Sequence, residues 1–565
     1  MKRFLLATLF LVPVFTVFAQ QNLLRNTSRE NDRVLQLKTL GTQNLMVRPK
    51  LVVGIVVDQM RYDYLTRFWA HYGEGGFKRL VNEGFNCKNN HFNYVPTYTG
   101  PGHASVYTGT TPANHGIIGN NWFDKGTGKM VYCAEDESYN SVGSSSEAGK
   151  MSPSRMMTTT VTDELRLATQ KRAKVIGIAL KDRGAILPAG HMADAAYWFE
   201  GLAHGKWITS DYYMTNLPDW VKAFNASGKA KSYLKDWDTM YDIKTYVESG
   251  PDDTSFEMPF NGEKRPVFPH RLGKLSKDNK EFDIIKNSPF GNSLTLDFAL
   301  AAIEGEKLGD DEITDFLAIS FSSTDYIGHK FGVNSKEVQD TYIRLDKDLE
   351  KLLTTLDNKL GEGEYTVFLT ADHGAVDVPA YLESVKIPSG YVDTRAFEKR
   401  LSEHLEKIYG VPGLVLKVYN DQVFLDRAKI RENTLVYTEI QKKVLEALTQ
   451  YEGVISAYTA QELISGNYTL PFQSLLQKGF HFQRSGDVVF VLHPATISYY
   501  KTGSTHGSGF SYDTHVPLLF FGKGINSGST VSRTEIPDIA PTISALLGIA
   551  FPNATTGNPI EGILE

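Results

Sequence analysis

Seven residues combine side chains that bind divalent cations with one that can attack an electrophile: Asp58, Thr99, Asp325, His329, Asp372, His373 and His506. Three carboxylates, three imidazoles and a hydroxyl suffice for two ions with nitrogen and oxygen ligands. That mixture suits zinc better than magnesium, which takes mostly oxygen and water. The spacing Asp325-xxx-His329 lets two side chains close on one metal, and Asp372-His373-Gly374 supplies a carboxylate, an imidazole and a glycine that lets the backbone turn. Taken singly, each has an ordinary reading: a strand-end Asp caps the next helix, and His506 in STHGSG is a loop residue.

Thr99 lies in the stretch Tyr94 to Asn121, YVPTYTGPGHASVYTGTTPANHGIIGNN, where Thr97 and Asn120 are further groups able to touch a substrate. Gly100-Pro101-Gly102 ends regular pairing, and Ala104 to Thr108 reads as the start of a helix. A hydroxyl at such a helix mouth faces unpaired N–H groups and the positive end of the dipole, which suits a nucleophile attacking an anion. On this segment alone the plainer reading is a turn or cap residue. Charge then limits the substrate. Two zinc ions bring about +4, and three carboxylates with a threonine alkoxide about −4, so a phosphate monoester dianion needs further positive charge. Lys181 and Arg183, at alternate positions on one face of a strand end, supply it; the competing reading is a solvated charge cluster.

These groups need a scaffold. LVVGIVVDQ from Leu51 runs apolar into Asp58, FLAISFSSTD from Phe316 into Asp325, and YTVFLTADHG from Tyr365 into Asp372 and His373. Three buried strands that finish on carboxylates predict a parallel sheet with its polar residues at the C-terminal edge, where open α/β sheets bind ligands. A fourth, AKVIGIAL from Ala173, leads into Lys181-Asp182-Arg183, and helical patterns over Thr158 to Lys171 and Lys336 to Leu356 fill intervals. The fold class is α/β, a largely parallel central sheet flanked by helices. The catalytic core is expected over 51–377 and 501–565, with an inserted α+β subdomain at 378–500. A possible cap spans the aromatic-rich stretch 207–286, and the serine-rich Ser141 to Ser154 reads as a flexible loop. No internal repeats are visible.

A chain of 565 residues with 41% hydrophobic content can bury a large core and at least one inserted subdomain. A formal charge of −6 gives no reason to expect a polyanionic partner, so any anion binding is local and nucleic acid is not a partner. Lys2 and Arg3 precede an apolar run from Phe4 to Phe18, with Ala19 before polar Gln20 and Gln21. That run is too short for a membrane span and reads as a cleavable signal peptide, residues 1–19, ahead of a mature N-terminal lead at 20–50. The alternative is a buried N-terminal helix. A monomer exported to the periplasm or secreted is expected. In an oxidising compartment Cys87 and Cys133 could form one disulfide, and the sequence does not say whether they meet.

Five motifs carry a family resemblance: Asp58 after a strand; PTYTGPGHASVYTG with PANHGIIGN; STDYIGH; TADHG; and THGSGFSYDTHVPLLFFG followed by DIAPT. From about Leu51 to Leu547 the chain resembles the alkaline phosphatase superfamily, and within it the flavobacterial, phosphate-irrepressible (PafA-type) alkaline phosphatases, which use Thr in place of Ser. The resemblance implies that Asp325, His329 and His506 hold one zinc, that Asp58, Asp372 and His373 hold the second with Thr99 on it, and that Asn120, Lys181 and Arg183 contact the phosphoryl oxygens. It implies a two-zinc alkaline phosphomonoesterase acting through a covalent phosphothreonine. The run Thr99-Gly100-Pro101-Gly102-His103 departs from the Cys/Ser-x-Pro-x-Arg of sulfatases: threonine cannot become formylglycine and the Arg is absent. Two rivals stand beside this expectation, a phosphodiesterase or nucleotide pyrophosphatase of the same superfamily and a non-catalytic zinc-binding protein.

Overall fold

The computed structural model describes residues 48–202, 204–469 and 471–564. The expected signal peptide and most of the polar lead lie outside the described residues. The strands of the two larger sheets are, in chain order, β1 (Leu51–Val57), β2 (Phe85–Cys87), β3 (Ser141–Val142), β4 (Val175–Ala179), β5 (Ala195–Glu200), β6 (Lys206–Ser210), β7 (Asp315–Phe321), β8 (Tyr365–Thr370), β9 (Val415–Tyr419), β10 (Gln422–Leu425), β11 (Val454–Thr459), β12 (Val488–Leu492), β13 (Leu518–Gly522) and β14 (Gly528–Thr530). The helices that matter for the site are α1 (Thr99–Thr108), α2 (Val161–Ala168), α3 (Asp182–Ala189), α4 (Phe290–Gly305), α5 (Ser323–Phe331) and α6 (Lys336–Leu360).

The main sheet has ten strands in the order β14-β2-β13-β8-β1-β7-β4-β5-β6-β3. Its centre, β8-β1-β7-β4-β5, is parallel throughout. Antiparallel pairing enters only toward the two edges, at β8/β13, β13/β2, β5/β6 and β6/β3. The central strands are apolar on both faces because helices cover both: every residue of β1, β4, β7 and β8 is buried. The strands expected from the sequence at Leu51, Ala173, Phe316 and Tyr365 are therefore present, and adjacent.

Helix ends differ from the sequence reading where capping decides them. The helix expected at Thr158 to Lys171 is the shorter α2, opened by a capping box between Thr160 and Asp163 and closed before Gln170 and Lys171, which both take positive φ. Conversely α6 runs a turn beyond Leu356, from the Ser335 cap to Gly361. The serine-rich stretch is not wholly loop, since Ser141 and Val142 pair with β6 at the sheet edge.

The segment from Val378 to Tyr500 holds a second sheet, ordered β9-β10-β12-β11, with its own core of residues such as Phe397, Leu401, Val444 and Val488. The turn between β9 and β10 touches the main body at Asn420, whose Nδ2 donates to the Asn121 carbonyl at 2.9 Å. The stretch from Trp207 to Lys286 begins inside β6 and then packs on the helical layer. Trp220 Nε1 donates to Glu306 just past α4 at 2.7 Å, and Trp237 Nε1 to Asp340 of α6 at 2.8 Å. It comes to the neighbourhood of His329 at Phe256 and Met258, which bond to the backbone of Gly503 and Lys330.

Candidate active site

The seven expected groups converge at the C-terminal edge of β1, β7 and β8. Asp58 follows β1 directly, and Asp372 and His373 follow β8. Asp325 is not at a strand end as the sequence suggests: β7 stops at Phe321 and Asp325 sits in the first turn of α5. One turn on, His329 brings Nε2 to 3.1 Å from Asp325 Oδ1, as i,i+4 geometry dictates. His506 enters from the far end of the chain, with Nε2 3.6 Å from the same oxygen. His373 Nε2 lies 3.5 Å from Asp58 Oδ1 and 3.4 Å from Asp372 Oδ2, and its ring stacks on His506 at 3.4 Å.

The three imidazoles are oriented in the same way. Nδ1 of His329 donates to the Ser504 carbonyl at 2.7 Å, Nδ1 of His506 to the Thr97 carbonyl at 2.7 Å, and Nδ1 of His373 to the Gly374 carbonyl at 3.0 Å. A carbonyl only accepts, so each Nδ1 carries a proton and Nε2 is the nitrogen that faces the carboxylates. Burial holds the His373 imidazole down to about 3 against the pull of Asp372, so it is neutral at every physiological pH.

Thr99 is the first residue of α1, which corrects the expected start near Ala104. Pro101 falls within the first turn, where no N–H is needed, so the breaker cluster does not delay the helix. The glycine serves proximity: a Cβ on Gly102 would stand 2.3 Å from the Asp372 carbonyl oxygen. The helix mouth is thereby pressed against β8, and Thr99 Oγ1 lies 3.4 Å from His373 Nε2. Asn120 Oδ1 accepts from Gly100 N at 2.7 Å, so Nδ2 is the end of the amide left to donate elsewhere. Thr97 is a support, with its hydroxyl on the Ser508 carbonyl at 2.9 Å and its own carbonyl on His506.

Lys181 and Arg183 are not alternate residues of a strand. β4 stops at Ala179, Lys181 is the extended cap residue of α3, and Arg183 lies in its first turn. Lys181 Nζ is 2.6 Å from Asp58 Oδ2 and 2.5 Å from Asp325 Oδ2, with all three side chains buried. Arg183 Nη1 donates to the Tyr132 hydroxyl at 3.1 Å, and that hydroxyl also bonds the Asp182 carboxylate. Burial, then Asp372, pushes the Asp58 carboxyl well above the usual range despite Lys181. Asp325 goes the other way: burial raises it, and His329 with Lys181 more than compensates and holds it well below.

Three buried carboxylates face one ammonium, and such a cluster calls for further positive charge. Two oxygens in it, Asp58 Oδ1 and Asp372 Oδ2, are buried without a hydrogen-bond partner, and both point toward His373 Nε2. The groups Asp58-Asp372-His373 and Asp325-His373-His506 each bring three ligand atoms within 4.8 Å of one another. Orphaned carboxylate oxygens beside imidazole lone pairs fit a divalent cation. His373 falls in both groups because its ring lies between them; its two shortest carboxylate contacts are with Asp58 and Asp372.

Some neighbours had no signal in spacing or composition. Gln59 donates from its backbone N to Asp372 Oδ1 at 3.1 Å and from Nε2 to Asp325 Oδ1 at 2.8 Å. His103 Nδ1 donates to the Thr99 carbonyl at 2.9 Å and stands 3.3 Å from Asp372 Oδ2, while Nε2 meets Ser320 Oγ at 2.9 Å. The only hint was position, Gln59 beside Asp58 and His103 one turn after Thr99. Cys87 and Cys133 are both buried free thiols.

The model of the Type I phosphodiesterase / nucleotide pyrophosphatase family matches residues 52–516. The chain is 47% identical to a protein of Myroides odoratus named calcium-transporting ATPase, over 92% of this chain and 95% of that one. It is 46% identical to alkaline phosphatase PhoV of Synechococcus elongatus, over 92% and 94%. Alkaline phosphatase PafA of Elizabethkingia meningoseptica is 43% identical over 93% of this chain and 96% of its own length. The crystal structure of PafA superposes with a TM-score of 0.89, covering 92% of this chain and 99% of the other.

Proposed function

This chain belongs to the Type I phosphodiesterase / nucleotide pyrophosphatase family of the alkaline phosphatase superfamily, and on that premise we propose that it is an exported two-zinc alkaline phosphomonoesterase. The observation that carries the reading is the placement of the Thr99 hydroxyl at the mouth of α1, 3.4 Å from His373 Nε2 and against two groups of carboxylate and imidazole donors.

Asp325, His329 and His506 would hold one zinc, and Asp58, Asp372, His373 and Thr99 the second. Zinc at these positions supplies the positive charge that favours the Thr99 alkoxide and the departing alkoxide of the substrate. Thr99 Oγ1 attacks phosphorus in line, the ester oxygen leaves with the alcohol, and the phosphoryl group stays on Thr99 until water cleaves the phosphothreonine. The Asn120 amide donates to a phosphoryl oxygen, and the hydrogen bond from Gly100 N to Asn120 Oδ1 fixes the face that the amide presents. Lys181 and Arg183 add the positive charge that a dianionic monoester needs beyond the near-neutral site. His103 holds the Thr99 carbonyl beside the Asp372 carboxylate and so fixes the helix mouth against the carboxylates. The alkoxide requirement makes activity rise toward alkaline pH.

Export rests on the N-terminal apolar run behind Lys2 and Arg3. Among the described residues no helix is long and apolar enough to cross a membrane. The test is p-nitrophenyl phosphate hydrolysis with and without a chelator and with Thr99→Ala; full activity in the Thr99→Ala protein ends the proposal. A larger kcat/KM for bis-phenyl phosphate than for phenyl phosphate would transfer the assignment to a diesterase.

A further inference from the structure

Between the two donor groups stands a buried residue that none of the chemistry above uses. Gln59 follows Asp58 and has a left-handed backbone, φ 63°, unusual for a residue with a side chain. That conformation aims its backbone N at Asp372 Oδ1, 3.1 Å away, while its side-chain Nε2 reaches Asp325 Oδ1 at 2.8 Å. A carboxylate only accepts, so the amide orientation is fixed by chemistry: Nε2 faces Asp325 and Oε1 faces away. Behind Oε1 is α5, and there the helix carries Gly328. A Cβ on Gly328 would stand 1.8 Å from Gln59 Oε1, so a larger residue there must displace the amide. A glycine inside a helix weakens it. Here it makes room for the Gln59 side chain, which reaches Asp325 from just past the end of β1.

We propose that Gln59 is a positioning residue that ties the two cation groups together, its side chain orienting Asp325 for one ion and its backbone N–H orienting Asp372 for the other, with Gly328 as the seat that permits it. The proposal rests on the two-cation reading of the site. The division of labour gives an asymmetric expectation. Substituting the side chain removes the donor to Asp325 and keeps the donor to Asp372, so one ion is loosened and the other is not. Partners that orient a ligand typically carry 10- to 100-fold in metal affinity.

The experiment titrates metal-free protein with cobalt(II) and zinc, reading stoichiometry by calorimetry and ligand-field absorption for cobalt. His329→Ala identifies the bands that belong to the Asp325 group. Two tight sites are expected in the unaltered chain. In Gln59→Leu one site, carrying the bands missing from His329→Ala, weakens on the order of 10- to 100-fold, and the second stays within about 2-fold. Gly328→Ala gives the same selective loss, and the double variant is no worse than Gln59→Leu alone. Selective weakening shared by both single variants would not follow from a general loss of folding, which would touch both sites. Unchanged affinity in Gln59→Leu, or equal weakening of both sites, overturns the proposal. A parent chain that binds fewer than two cations overturns the two-cation reading itself, and this inference with it.

Discussion

Lys181 Nζ sits 2.6 Å from Asp58 Oδ2 and 2.5 Å from Asp325 Oδ2, so one buried ammonium bridges the two carboxylates assigned to different ions. Breaking a buried ion pair by removing one partner costs about 3–5 kcal/mol. Lys181→Met is therefore expected to lose about that much unfolding free energy in chelator. The loss should be much smaller in excess zinc, where cations neutralise the same carboxylates. Urea unfolding of both proteins in both conditions checks it; a loss independent of metal would mean that the lysine acts through packing alone.

Thr99 is the sole hydroxyl proposed as nucleophile, and serine offers the same oxygen. Thr99→Ala should lower kcat/KM for a monoester by at least about 10³-fold, while Thr99→Ser keeps most of it. Phosphate-labelled substrate quenched in acid should leave label on the parent and Thr99→Ser chains and none on Thr99→Ala.

Gly102 lets α1 lie against β8. With a Cβ 2.3 Å from the Asp372 carbonyl oxygen, Gly102→Ala must push the helix mouth away. A misplacement of about 1 Å costs on the order of 10²-fold in rate. Circular dichroism should show the fold intact; near-parental kcat would contradict the close-approach role.

His115 is buried and its imidazole is held down to about 3, first by burial and then by Arg484 and His481. The unfolded chain takes up its proton near the ordinary value of 6.5, so this contribution to stability is complete above that pH and is lost as pH falls toward about 3. Each unit of that interval is worth about 1.4 kcal/mol. Between about pH 7.5 and 5, the parent should lose about 2 kcal/mol more than His115→Gln. Equal pH slopes in denaturant unfolding would remove His115 from the account.

The sequence by itself determined the parallel centre of the sheet and the identity of the chemical groups. Strands buried on both faces must be apolar throughout, so LVVGIVV and its partners stand out, and the polar residues that end them must collect at one edge. Ligand-bearing motifs are likewise local: Asp325 and His329 meet because they are one helical turn apart. Pairings between elements are not local, and those only the tertiary structure decided. Lys181 was legible as a nearby cation, yet its place across Asp58 and Asp325 depends on β4 ending beside β7. Gly102 read as part of a cluster that ends regular pairing, and only the distance to Asp372 revealed a close contact as well. Gln59 carried no signal, because a side chain whose role is two hydrogen bonds to residues 266 and 313 positions away leaves no periodicity, spacing or composition to read.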